Sequence, residues 1–349
     1  MNIDEKYMFR CIELAKNGLG TTAPNPMVGC TIIHNKKIIG EGYTSPYGGA
    51  HAEVNAVNAI KDKSLLSQST LYVTLEPCAH FGKTPPCVNL ILEHKIPKVV
   101  IGLQDPNKKV EGKSIQLLKD SGCEVILGVL ENECRKHHKR FLTFQEKQRP
   151  YIILKWAETL DGYIAPSHQL REDNPKPLWI TNTYSKQLVH QWRGEEQAIL
   201  AGTTTALADN PKLTVRYWKS KNPIRVVIDK GLKIPSNYCL FDNSVKTIVI
   251  TSVNDDNRYL KGVIYAVTKF KNLPQEICEI LYQHEINSII IEGGTKTLQS
   301  FINMNLWDEA RVFKGKTSFI KGTKAPEISG NQLVSKKLFD DTLTIVTND

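Results

Sequence analysis

His51-Ala52-Glu53, Glu76-Pro77-Cys78-Ala79-His80 and Pro85-Pro86-Cys87 bring one imidazole, two thiols and a spare glutamate into a short stretch of chain. One imidazole and two thiolates suffice to hold a zinc ion that keeps its fourth tetrahedral position open for a reactive water. Glu53, two residues beyond His51, is placed to move protons. Together they suit hydrolytic deamination, in which a glutamate that is not a metal ligand carries protons to the leaving amine. A structural zinc site is the competing use of the same residues; it wants a fourth ligand, and His80 could supply one. Burial of the histidine and cysteines for packing alone is the plainest alternative. The order His-x-Glu, then Pro-Cys, then Cys favours catalysis.

The elements that must position these residues read as alternating α/β structure. Residues 5–16 carry an apolar stripe at helical spacing through Met8, Ile12 and Ala15, ended by Gly18 and Gly20. A loop, Thr21 to Pro26, precedes a strand over 28–33, and Asn35-Lys36-Lys37 turns it into a second over 38–43. His51 opens a helix through Val57 and Ile60; residues 71–75 form a short strand with Pro77-Cys78 at its carboxyl end, where open α/β sheets place their sites. Pro85, Pro86 and Cys87 start another helix, so both sulfurs meet His51 at helix starts, where N–H groups favour thiolates. Residues 99–102 and 124–127 supply further strands. Asn25, between two prolines, is either a turn former or a holder of a substrate amide or ring nitrogen.

Apolar patterning is interrupted at Gln145 to Pro150, which marks a linker. Beyond it, strands are expected over 151–156, 198–201, 225–229, 247–251 and 288–292, with a helix over 185–192. Glu292-Gly293-Gly294-Thr295 is a strand-to-helix turn whose N–H groups could cradle a phosphate, though Gly-Gly there is more often an ordinary tight connection. It does not match the Gly-x-Gly-x-x-Gly dinucleotide fingerprint. Residues alone therefore give a second α/β ligand-binding domain of open chemistry. After residue 316 the pattern is weaker, with 342–347 either a terminal strand or a segment packed on this domain.

With 349 residues, two domains are expected; 41% apolar and 23% charged residues describe an ordinary globular protein. No apolar run reaches the ~18 residues of a membrane span, and the polar start Met1-Asn2-Ile3-Asp4-Glu5 is not secretory. Eight cysteines over this length are no disulfide scaffold, and metal binding needs them reduced, so a cytoplasmic location is expected. The charge of +9 raises the question of nucleic acid, but the basic clusters 136–140 and 219–221 are short, far apart and not interleaved with aromatics. Surface solvation or anionic small molecules account for them, so neither a nucleic acid nor a membrane is expected as partner.

At this point a resemblance is specific. Residues 1–145 resemble the zinc-dependent cytidine/deoxycytidylate deaminases, a three-layer α/β fold. Within them, Glu76 to Cys87, Thr22 to Gly29 and Gly48 to Glu53 look like the deaminase half of the bifunctional deaminase/reductase family of riboflavin biosynthesis. Eight residues separate the two cysteines, where cytidine- and tRNA-acting relatives usually have two. The resemblance implies that His51, Cys78 and Cys87 hold Zn²⁺, that Glu53 is the catalytic proton shuttle, and that Asn25, His80 and Lys83 face the substrate. Residues 150 to about 315 look like that family's reductase half, so 150–349 is expected to be a dihydrofolate-reductase-like α/β domain using NADPH. The landmarks are Lys155 with Thr159-Leu160-Asp161-Gly162, Trp179-Ile180-Thr181, His190-x-x-Arg193, Gly202-x-x-Thr205, Leu207 to Arg216, and Glu292-Gly293-Gly294. They imply NADPH contacts from Ala157, Trp179, Thr205, Asp209, Gly294 and Thr295. Arg193, Leu213, Arg216 and Glu292 would meet the sugar-phosphate substrate.

The implied substrate is 2,5-diamino-6-ribosylamino-4(3H)-pyrimidinone 5′-phosphate, deaminated and then reduced at its ribosyl group. Pro177, Gln197, Asn210 and Lys230 depart from the family pattern around the reductase contacts. The alternatives are a deaminase whose second domain binds nucleotide without catalysis, a nucleic-acid deaminase, and a structural zinc protein. A homo-oligomer is compatible with all of them.

Overall fold

The computed structural model describes residues 1–81, 85–107, 111–167, 169 and 179–348. They form two compact units, Met1–Gln148 and Arg149–Asp349. Among the described residues no helix is long and apolar enough to cross a membrane.

The first unit begins with α1 (Ile3–Ala15), whose start is fixed by a reciprocal cap: Asn2 accepts the Glu5 N–H and Glu5 accepts the Asn2 N–H. A hairpin follows, β1 (Gly29–His34) and β2 (Lys37–Tyr43), turned by Asn35 and Lys36 at φ 48° and 62°. Next come α2 (Ala52–Asn58), β3 (Thr70–Val73), α3 (Cys87–Glu93), β4 (Lys98–Ile101), α4 (Lys113–Asp120) and β5 (Glu124–Leu127). Two helices, α5 (Glu131–His137) and α6 (Lys139–Lys147), close the unit, so helix continues past Gln145, where the sequence suggests a linker.

The sheet order is β2-β1-β3-β4-β5, with β1 antiparallel to its neighbours and β3, β4 and β5 parallel. Alternation along β1 sends Thr31 toward α1, where its hydroxyl meets the Cys11 sulfur at 3.3 Å. The opposite face carries Cys30, paired with Gly42. A Cβ on Gly42 would stand 2.3 Å from the Ala52 carbonyl, so glycine lets the first turn of α2 lie directly on the sheet. Helices thus cover both faces, giving three layers. The basic cluster 136–140 is partly internal: His138 is buried, its Nε2 3.1 Å from the Thr74 hydroxyl, and the His137 ring bonds the Met27 carbonyl at 2.7 Å. Those imidazoles brace the core and the Asn25 loop, which removes the centre of a basic stripe.

The second unit runs β6 (Tyr151–Glu158), β7 (Tyr163–Pro166), α7 (Thr183–Glu195), β8 (Ala198–Ala201), α8 (Thr203–Asp209), β9 (Ile224–Ile228), β10 (Thr247–Thr251) and β11 (Val263–Val267). It continues with α9 (Leu273–Gln283), β12 (Ser288–Ile291), α10 (Thr295–Asn303), β13 (Glu309–Lys314), β14 (Gly322–Lys324), β15 (Asn331–Leu338) and β16 (Asp341–Thr347). Nine strands form one sheet in the order β11-β10-β9-β8-β12-β6-β13-β16-β15. It is parallel from β11 through β13 and antiparallel where β13, β16 and β15 meet, so 342–347 is a paired strand. The central strands are apolar on both faces because both are covered. Ile289 and Ile291 pack with Leu281 of α9 and Phe301 of α10, while Ile290 packs with Val189 and Trp192 of α7.

Candidate active sites

In the first unit His51 is the N-cap of α2, Glu53 sits in its first turn, and Cys87 is the first residue of α3. Cys78 lies in the segment leaving β3. His51 Nδ1 stands 3.5 Å from Cys78 Sγ and 3.3 Å from Cys87 Sγ, and the Cys87 N–H donates to Cys78 Sγ at 3.2 Å. All three potential ligand atoms lie within 4.8 Å of one another. A tetrahedral ion with bonds of about 2.1–2.3 Å spaces its ligands roughly 3.5–3.8 Å apart, so one nitrogen and two sulfurs in this arrangement fit zinc. His80 is exposed and outside the cluster, so among the described residues this is a three-ligand set.

The electrostatics suit a cation. The hydrogen bond from Cys87 favours the Cys78 thiolate and draws its pKa down, and the same contact drives the Cys87 thiol upward. Hydrogen bonding to Cys78 also raises the His51 imidazole. Glu53 is 3% exposed; burial first, and the charge on Cys78 second, push its carboxyl up to about 7. A carboxyl poised there can both take and return a proton at neutral pH.

Asn25 is half-buried in a loop tied down by its own N–H to the Thr22 carbonyl (3.0 Å) and by His137 at Met27. Lys83 lies outside the described residues. Two carboxylates the sequence reading left without roles emerge here. Glu76 is buried and accepts from the Asp105 N–H, the Gly112 N–H and the Ser114 hydroxyl. Asp105 is buried beside it, and burial is the main cause that raises its carboxyl to about 6.

In the second unit polar groups gather at the carboxyl ends of β6, β8 and β12. Arg193, near the end of α7, donates to Glu292 at 2.7 Å and to the Thr214 carbonyl at 3.3 Å. Lys155 Nζ lies 3.8 Å from the other Glu292 oxygen. Burial pushes the Lys155 ammonium down, whereas Arg193 and Lys155 overcome burial at Glu292 and bring it down to about 2. Arg216 donates its N–H to His190 Nδ1 at 3.1 Å, and Lys186 lies 3.9 Å above the Trp179 ring, which is 61% exposed. Leu213, at φ 51°, buries its side chain in the core, so only its backbone is available to a ligand. The Lys155 signal is a lone cation in the apolar strand Tyr151-Ile-Ile-Leu-Lys155-Trp156.

Gly294 caps α10 at the end of β12, and Gly202 caps α8 at the end of the adjacent β8. A Cβ on Gly293 would stand 2.6 Å from Thr297 Cβ, and one on Gly202 would stand 2.7 Å from Thr297 Oγ1. Those glycines keep the two strand-to-helix turns together, with Thr205 Oγ1 close to Gly294. Thr205 and Asp209 share a helical face of α8, and Asp209 is exposed at its far end. Ala157 faces the same side of β6 as Lys155, while the Thr295 hydroxyl bonds the Lys324 carbonyl. The free N–H groups at the starts of α8 and α10, side by side at the strand ends, are of the kind that can receive a phosphate.

Residues 150–340 match the family described as the RibD C-terminal domain, and residues 1–103 match the cytidine and deoxycytidylate deaminase zinc-binding region. The riboflavin biosynthesis protein RibD of Aquifex aeolicus is 40% identical over 316 residues, covering 89% of this chain and 86% of that one. The chain belongs to the RibD family. Its RibD relative from Bacillus amyloliquefaciens is 38% identical over 344 residues, 96% of this chain and 90% of its own. A crystal structure from Thermotoga maritima, a diaminohydroxyphosphoribosylaminopyrimidine deaminase/5-amino-6-(5-phosphoribosylamino)uracil reductase, superimposes with a TM-score of 0.88 at 35% identity, covering 99% and 98% of the two chains. Acinetobacter baumannii RibD gives 0.89 at 30% identity with the same coverage. A cytidine-deaminase-like domain joined to a dihydrofolate-reductase-like RibD domain is therefore the architecture.

Against the RibD pattern, Gln197 proves remote from the reductase site. It brackets the opposite ends of the strands, donating to the Glu285 carbonyl at 3.1 Å and accepting the Asn287 N–H at 2.8 Å. Asn210 ends α8 in the left-handed region at φ 39°, a conformation asparagine tolerates, and accepts the Cys239 N–H. Lys230 is exposed beyond β9, its ammonium 5.5 Å from the Phe270 ring centre. Pro177 lies outside the described residues.

Proposed function

We propose that this RibD-family enzyme deaminates 2,5-diamino-6-ribosylamino-4(3H)-pyrimidinone 5′-phosphate in its first unit and reduces the ribosyl group in its second. The observation carrying the first step is the convergence of His51, Cys78 and Cys87 with the buried Glu53. His51 Nδ1 and the two sulfurs would hold Zn²⁺, which when bound makes water nucleophilic at neutral pH. Glu53 takes the proton of the attacking water, delivers it to the ring nitrogen and then serves the departing ammonia. Asn25 and His80 bind and orient the ring, and Lys83 binds the phosphate.

In the second unit Ala157, Trp179, Thr205, Asp209, Gly294 and Thr295 would hold NADPH, which when bound supplies hydride to C1′. As the C1′–O4′ bond of the sugar breaks, the departing oxygen needs a proton, and the buried Lys155 Nζ can release one. Glu292 fixes that ammonium and Arg193 together, Arg216 binds phosphate, and the Leu213 backbone lines the loop. Such positioning in a partly dry cleft suits a reaction dominated by orientation. Eight free cysteines agree with a reducing cytoplasm.

The test is zinc content and product formation by C87S. Reduced zinc occupancy with lost ammonia release supports the ligand assignment; full zinc content contradicts it. K155M should lose reduction while NADPH still binds, and unimpaired reduction would remove Lys155 from the chemistry.

A further inference from the structure

The first unit contains a buried carboxylate that the chemistry above does not use. Glu76 lies two residues before Cys78 and is 3% exposed. Its main-chain N–H donates to the Leu103 carbonyl at 2.8 Å, joining the segment that leaves β3 to the one that leaves β4. Its side chain then gathers donors from further along: the Asp105 N–H at 3.3 Å, the Gly112 N–H at 3.0 Å and the Ser114 hydroxyl at 2.7 Å. One carboxylate thus ties Asp105, Gly112 and, in the first turn of α4, Ser114 to the chain that carries Cys78. Asp105 closes its own turn by accepting the Asn107 N–H at 2.8 Å, and its own N–H, donated to Glu76, sets that turn beside the segment that carries Cys78. A buried carboxylate with three donors is costly to replace, because each donor loses a charged acceptor and the Asp105 N–H and Ser114 hydroxyl are buried away from water.

We propose that Glu76 is a positioning residue of the deaminase: it fixes Asp105 and its turn as a wall of the pocket beside Cys78, and acts on catalysis through that wall. The proposal rests on the deaminase reading of this unit. Glutamine at 76 keeps the shape but presents an amide to three donors, and should loosen the wall without removing a metal ligand.

The experiment compares E76Q, S114A, D105N and E76Q/D105N in the full-length zinc-loaded enzyme. E76Q should raise the KM for deamination about tenfold, the loss of a charge-assisted bond, with kcat changed less than about threefold. Zinc per chain and reductase turnover should stay at wild-type values. S114A, which retains the carboxylate, should shift KM the same way by less. The double variant should be no worse than the weaker single variant, because the two residues act through one wall. Amide exchange at Asp105 and Gly112 should accelerate in E76Q, a readout that does not depend on deamination. Unchanged KM, additive effects in the double variant, or zinc loss accompanying a fall in kcat would each overturn the assignment. If E76Q does not fold, S114A and D105N decide by the same criteria. Absent deamination by the wild-type enzyme would instead overturn the underlying reading, while the exchange result would still report whether Glu76 holds the turn.

Discussion

At the scale of single residues, the chemistry depends on groups whose charge is set by their neighbours. In the proposed deamination Glu53 is the proton carrier, its carboxyl raised toward neutrality by burial, and glutamine there keeps the size while removing the proton. E53Q should lower deaminase kcat by about 10²- to 10⁴-fold, with zinc content and reductase turnover unchanged; loss of zinc as well would make Glu53 a structural residue. His190 offers a pH test in the second unit. Burial, with Arg193 and Arg216 adding repulsion, brings it from 6.5 down to about 4, and its Nδ1 must be unprotonated to accept the Arg216 N–H. Between pH 6.5 and about 4 the unfolded chain binds a proton here that the folded chain refuses, so stability falls as pH drops through that window. H190N retains an acceptor without the titration, and its melting temperature should fall less than wild type between pH 7 and pH 5; an equal fall would discount this histidine.

Elements place these residues, and they differ in how openly the sequence declares them. The central strands were legible because short apolar runs end at turn residues, as at Ser288 to Gly293. His51, Cys78 and Cys87 were legible because each sits at a helix start or strand end close in sequence. Arg193 and Glu292 entered through the family resemblance and Lys155 as one of its landmarks, but their pairing was not legible, since they come from α7, β12 and β6 and only the assembled sheet brings them together. The three donors of Glu76 were hidden for the same reason. His137 and His138 misled as part of a basic run because their burial depends on how α5 and α6 pack. Leu213 combines a positive φ with a buried side chain, which leaves its backbone as the part open to a ligand, and neither feature shows in the sequence. The turn proposed to hold the cofactor supplies the prediction at this scale. A methyl at Gly293 would collide with Thr297, displacing the first turn of α10. G293A should weaken NADPH binding about tenfold in titration, the equivalent of about 1.4 kcal/mol, and leave deamination unchanged; unchanged NADPH affinity would place the cofactor elsewhere.

At the scale of the whole molecule, each of the two compact units carries the groups proposed for one reaction. His51, Glu53, Cys78 and Cys87 all belong to Met1–Gln148, and Lys155, Arg193, Arg216 and Glu292 all belong to Arg149–Asp349. Removal of zinc by a chelator should therefore stop ammonia release yet leave NADPH-dependent reduction of pre-deaminated substrate intact. Loss of both would show that the reductase depends on the metal unit. The most direct test of the two-reaction assignment is a mass-resolved assay of the zinc-loaded chain with the diaminopyrimidinone ribosyl phosphate, run with and without NADPH. Ammonia release without NADPH, followed by a ribityl product when NADPH is added, is the predicted result. Deamination that is never followed by reduction would contradict it and leave the second unit as a binding domain only.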